Sequence, residues 1–222
     1  MAALLALCGA AAWGVGDFLG GLGARRIHVL TVLLLSQAAG LAGVLVWAAV
    51  SGDAFPGAGD ALPALAAGAA GLVGLGALYR GFAVGAMGIV APISATAPIV
   101  PLAVDVARGD APTALQWAGI ALALAGIVIV SREPARGAGT RLAAGAGLAV
   151  LAALGFGLFI LGLDAAAEAS VPWTICLARA ASVTIALTAT LATRTAVGAP
   201  TALVPLLLAI GLFDTGANVL VA

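Results

Sequence analysis

The chain has no lysine, one histidine, two cysteines and one tyrosine, and only 8% of its 222 residues are charged. A soluble domain carries about 25% charged residues, so nine Arg and nine acids are too few to coat a globule of this length. A water-soluble fold is excluded. The formal net charge is +0 and the cations are scattered, which removes the clustered positive face that a nucleic-acid surface needs. The two thiols, Cys8 and Cys176, sit in apolar runs and support neither a disulfide scaffold nor a Cys-ligated zinc site. With His28 alone in a loop, no metal site and no cofactor are expected. Two alternative functions are a non-transporting structural or truncated membrane protein and a membrane-embedded enzyme, which needs a nucleophile and base or paired metal ligands close together, a set the sequence does not offer. Residues 1–13 carry no cationic segment ahead of their apolar stretch, and Leu7 precedes Cys8 where a lipoprotein cleavage site wants a small residue. They read as mature transmembrane sequence.

What is abundant is apolar length: 64% of residues are hydrophobic and the mean hydropathy is +1.23. A hydrocarbon core about 30 Å thick takes about 20 helical residues, and eight stretches of that order are present. They cover roughly 3–24, 29–51, 61–85, 87–107, 113–131, 142–164, 171–193 and 202–222. Period-two alternation is absent and the runs are too long for barrel strands. The fold class expected is an all-α, polytopic transmembrane bundle. If the loop between spans 1 and 2 marks face A, then Arg25, Arg26, Arg132, Arg136, Arg141 and Arg194 lie on face A against Arg108 alone on face B. The positive-inside rule then makes face A cytoplasmic.

An internal repeat is also present. A shift of 141 lays Gly14, Gly16, Phe18, Gly21 and Leu22 on Gly155, Gly157, Phe159, Gly162 and Leu163. A shift of 142 places Val29 on Val171 and Gln37 on Arg179, and one of 135 places Gly76 and Gly81 on Gly211 and Gly216. The organisation expected is a first copy over 1–131, a charged linker at 132–141 and a second copy over 142–222. Five spans per copy, an odd number, dictate opposite orientations in the membrane, the layout of many secondary transporters. The second copy holds three of its five spans, so the chain reads as truncated within span 8.

Ionisable groups at mid-membrane cost about 2.5–3.5 kcal/mol each on insertion scales, so those present need a reason. At about 1.5 Å per residue, Asp17 and Gln37 lie about 12 Å from face A, Arg80 about 7 Å from it, and Arg179 and Asp214 about 12–13 Å from face B. These depths let Asp17 meet Arg80 or Gln37, and Arg179 meet Asp214. Such pairs are either glue between helices or cavity groups that handle a proton or a charged substrate. Span 4 holds Pro92, Pro98 and Pro101 with Ser94 and Thr96 between them. Each Pro removes a backbone donor and frees a carbonyl, and a broken helix at a repeat interface points to a transporter site. A packing kink is the plainer reading. The Gly pairs at 16–20 and 81–85 indicate close helix packing, while Gly14 and Gly16 lack the spacing and preceding strand of a dinucleotide fingerprint. Most of Trp13, Trp47, Trp117 and Trp173 read as interface anchors, His28 as a solvated loop residue, and Asp105 as a partner for Arg108.

Trp13-Gly14 in span 1, Arg179 in the span after the linker, and the run from Tyr79 to Pro101, with small residues entering a Pro-interrupted span 4, resemble the bacterial EamA-type permeases of the drug/metabolite transporter superfamily. The resemblance covers the whole chain. It implies two inverted five-helix repeats and a cavity lined by spans 1–4 and 6–9, with spans 5 and 10 at the periphery; spans 9 and 10 are missing here. It implies a multi-pass protein of the cytoplasmic membrane that moves small metabolites, amino acids or drug-like solutes. Its partners would be that substrate, the lipid bilayer and a proton or other coupling ion. It also implies a cytoplasmic N-terminus, opposite to the arginine count.

Overall fold

Why this sequence makes helices that stop where they do is visible at their ends. In the computed structural model, which describes residues 1–84, 87–130 and 139–221, with the side chains of 2, 130 and 139–144 excepted, nine α-helices follow one another. They are α1 (Ala2–Ala24), α2 (Val29–Ser51), α3 (Ala58–Val84), α4 (Met87–Ser94), α5 (Ile99–Arg108), α6 (Ala114–Val130), α7 (Gly139–Ala167), α8 (Val171–Ala192) and α9 (Val204–Val221). His28 starts α2, its Nδ1 accepting from the Leu30 N–H at 3.2 Å. Ser170 caps α8 through Trp173 N–H, with Pro172 in the first turn, where a missing donor costs nothing. Gly52 and Gly109 end α2 and α5 at φ +78° and +100°, a region closed to most side chains. His28 is thus a helix cap, not merely a solvated loop residue.

Seven helical stretches are long and apolar enough to cross a membrane, α4 and α5 together forming one, Met87–Arg108. The fifth of the eight expected spans is shorter, a 17-residue α6. It packs along α4, and its Leu115, Leu122 and Ile129 face outward. Large apolar side chains elsewhere on the outside, such as Leu4, Val46, Leu158 and Leu212, suit a lipid solvent that would penalise unpaired polar groups.

The break in span 4 is a tightened turn at residues 95–98. Pro98 cannot bond back to the Ser94 carbonyl, so Ala97 N–H takes it at 3.1 Å; Pro101 cannot reach the Ala97 carbonyl, and Val100 N–H takes it at 3.0 Å. The Ser94 hydroxyl donates to Val90 O and the Thr96 hydroxyl to Ile93 O, both at 2.7 Å. The prolines therefore break the span while 3₁₀-type bonds take up the carbonyls that Pro98 and Pro101 free, and the two hydroxyls turn back onto the preceding turn.

Packing comes in matched sets. The most extensive contacts are α3 with α7 and α1 with α9, then α2 with α8, and then α3 with α8 and α2 with α9. Glycines allow the closest of these approaches: a Cβ at Gly68 would overlap the Ala178 carbonyl, and one at Gly211 would overlap the Ser36 carbonyl. Ser36 and Ala178 are 142 residues apart, Gly68 and Gly211 143. Gly16 also meets α9, at Phe213 and Asp214; Gly85 and positions 132–138 of the expected linker lie outside the described residues, while 139–141 already belong to α7.

On face B the α2–α3 loop is tied to the start of α8. The Ser170 hydroxyl donates to Asp53 Oδ2 at 2.7 Å, Trp173 Nε1 donates to the Asp53 carbonyl at 3.1 Å, and Phe55 stands edge-on to Trp173 at 5.1 Å. On face A, Thr31 Oγ1 donates to the Ala196 carbonyl at 2.7 Å, and Arg25 donates twice to the Phe82 carbonyl near the end of α3.

Candidate functional site

Between the helices lies a cavity of about 630 Å³ lined by α1, α2, α3, α4, the 95–98 turn, α7, α8 and α9. Helix α6 contributes nothing to it. Most of the wall is apolar, with Trp13 and Phe18 from α1, Phe82 from α3, Met87 from α4, and Phe156 and Phe159 from α7. The polar lining residues are few: Asp17, Gln37, Ser94, Arg179, Ser182 and Asp214.

Three of these form one network. Arg179 Nη1 donates to both Gln37 Oε1 and Asp214 Oδ2 in short contacts, and Gln37 Nε2 donates to the same Asp214 oxygen at 3.0 Å. Arg179 and Gln37 are 5% and 1% exposed, so the ion pair is shielded and each member relies on the others. Among the described residues, Arg179 Nη2 has no partner and no accessible surface, and the Tyr79 hydroxyl, Thr215 Oγ1 and Asn218 Oδ1 are likewise buried and unpaired.

Asp17 differs. It lines the cavity, half-buried, and among the described residues it has neither a hydrogen bond nor an ion pair. The partner expected from depth alone, Arg80, is exposed and outside the cavity. Its neighbour Tyr79 is fully buried, and one step along a helix turns the side chain about 100° away. Gln37, the other partner considered, is taken by Arg179 and Asp214. The Asp105–Arg108 pair does not form either: the Arg179–Asp214 ion pair stands alone among the described residues.

Of the span 4 candidates, Ser94 and Pro98 line the cavity, whereas Pro92 and Thr96 do not. Trp13, read from the sequence with the other Trp residues, lines the cavity. The aromatic wall was partly signalled by the repeat, since Phe18 and Phe159, which a shift of 141 superposes, both line it. Phe82 and Phe156 carry no such signal.

Membrane-length helices around a central cavity with a sparse polar lining define a polytopic membrane protein of the solute-carrying class. Residues 1–132 match the family model of the EamA-like transporter family, and the chain belongs to that family. It is a multi-pass membrane transporter of the drug/metabolite type, with a small-molecule substrate. No curated protein and no solved structure matches the chain.

Proposed function

We propose that the chain works as a secondary transporter of the cytoplasmic membrane, carrying a small metabolite, amino acid or drug-like solute through the central cavity, with Asp17 as the group that exchanges a proton. The observation that carries this reading is the contrast between two acids in one cavity. Asp214 is committed to Arg179 and Gln37, which fits a bolt between helices, whereas Asp17 faces the cavity with no partner. An unpaired carboxylate inside a membrane is costly, and binding a proton or a ligand relieves that cost.

The matched packing supports reading 1–131 and 142–222 as inverted copies about the 132–141 linker. Under that reading α2 and α8 cross at Gln37 and Arg179, equivalent positions that touch each other. The third helices align Gly68 with Gly211 at an offset of 143. That replaces the 135 drawn from the Gly76 and Gly81 matches, which are about two helical turns out of register.

The test is a pH gradient across proteoliposomes, with a mixture of radiolabelled amino acids as probe and a pH-sensitive dye inside. Asp17→Asn keeps the shape but cannot ionise, so proton-driven accumulation should fall to the empty-liposome level while downhill exchange persists. Accumulation by Asp17→Asn at the wild-type rate would make the carboxylate structural and place any coupling elsewhere.

A further inference from the structure

Most hydrogen-bonding groups of the cavity wall are spent, and among the described residues those left over are carboxylate oxygens, which accept when ionised, and one indole N–H, on Trp13. The Ser94 hydroxyl donates to Val90 O and the Ser182 hydroxyl to Gly68 O. Gln37 gives its Nε2 to Asp214 and its Oε1 to Arg179. Arg179 spends Nη1 on that pair, and its free Nη2 has no accessible surface. What remains to meet a solute is chiefly the Asp17 carboxylate, with the Trp13 indole N–H, among the rings of Trp13, Phe18, Phe82, Phe156 and Phe159.

Charge counting points the same way. Two carboxylates, Asp17 and Asp214, face one guanidinium, Arg179, so the fully ionised cavity carries one uncompensated negative charge. An anion would be repelled by Asp17 and would find one indole N–H, that of Trp13, and no free cation, since Arg179 is engaged with Gln37 and Asp214. A zwitterion would leave the net charge unchanged. A monovalent cation cancels it, and aromatic faces attract organic cations that are stripped of water.

We infer that the cavity selects a monovalent organic cation, an ammonium or quaternary ammonium on an apolar body, with Asp17 as its counter-ion and the aromatic wall as its cradle. This inference rests on the transporter reading and names the substrate class for the same site. Recognition is by charge and ring contact, with no bond made or broken.

The experiment is calorimetric titration of the whole chain in lipid nanodiscs with three probes of one shape: benzyltrimethylammonium, its neutral carbon isostere neopentylbenzene, and phenylmethanesulfonate. The cation should bind at least tenfold more tightly than the neutral isostere, and the sulfonate should bind most weakly. Asp17→Asn should erase the cation's advantage and leave the neutral isostere's affinity in place, which also shows that the variant is folded. Asp17→Glu should keep the advantage. Equal affinities across the series, or preference for the sulfonate, would overturn the inference, as would a cation preference that survives Asp17→Asn. The transport assay separates the two readings. Asp17-dependent proton-linked flux without cation preference sinks the inference alone, while Asp17-dependent cation binding without flux of the bound cation sinks the transporter reading.

Discussion

A single position decides whether an intramembrane charge is paired, because a helix turns about 100° per residue. Arg80 and Asp17 sit at depths that allow contact, yet the outward turn of Arg80 leaves Asp17 open to the cavity. Depth is legible in a sequence; rotation about the helix axis is set by packing and is not. The pairing of Arg179 with Gln37 and Asp214 was better signalled, since a repeat offset superposed the first two and matching depth joined the third. For the pair itself, removing either charge alone should strand the other, at about 3–5 kcal/mol if it stays buried. A double-mutant cycle on Arg179→Leu and Asp214→Leu, read by thermal unfolding in detergent, should show strong coupling; additive losses would mean no interaction. Arg80→Leu should change stability by no more than about 0.5 kcal/mol, as for an exposed site without special contacts. A loss several times that size would put Arg80 back into the polar network.

Helix existence followed directly from apolar length, and seven of the eight expected spans recur as membrane-length helices, with α6 short and on the edge. How the helices approach was harder to read, because 31 glycines offer many equivalent matches and only some touch a neighbour. Gly68 and Gly211 are contact glycines, whereas Gly43 meets nothing within 4 Å. Without a hydrophobic drive between helices in lipid, close backbone approach at small residues supplies much of the packing energy. Gly68→Ala drives a methyl into the Ala178 carbonyl, a backbone atom that cannot swing aside. It should therefore force α3 off α8 and cost about 1–3 kcal/mol, the usual range for overpacking. Gly43→Ala is the control and should be neutral or slightly stabilising, since Ala is the better helix former. Equal losses for the two would show that helix propensity, and not the α3–α8 approach, governs the result.

Across the molecule, the two faces differ in both charge and tethering. Face B holds the Asp53, Ser170 and Trp173 latch and Arg108, while the span order in the sequence assigns six arginines to face A. Arg25 is partly engaged with the Phe82 carbonyl, yet its charge remains, and Arg26 and Arg194 are exposed. Loop arginines resist translocation whether or not they also make a hydrogen bond, so the six-to-one asymmetry should hold face A in the cytoplasm. The family resemblance implies the reverse, and helix packing cannot arbitrate because the bundle is the same either way up. A cysteine at Gly137, in the linker between the copies, separates the two orientations. The background must lack both native thiols, since Cys8 is exposed and would react wherever its end of α1 lies, and Cys176, though buried, could react on unfolding. In intact cells Gly137→Cys should be protected from a membrane-impermeant maleimide and should react once the membrane is permeabilised. Ready labelling in intact cells would place the linker outside and the N-terminus in the cytoplasm. The arginine asymmetry would then be a topogenic signal overruled by the insertion of the first helices.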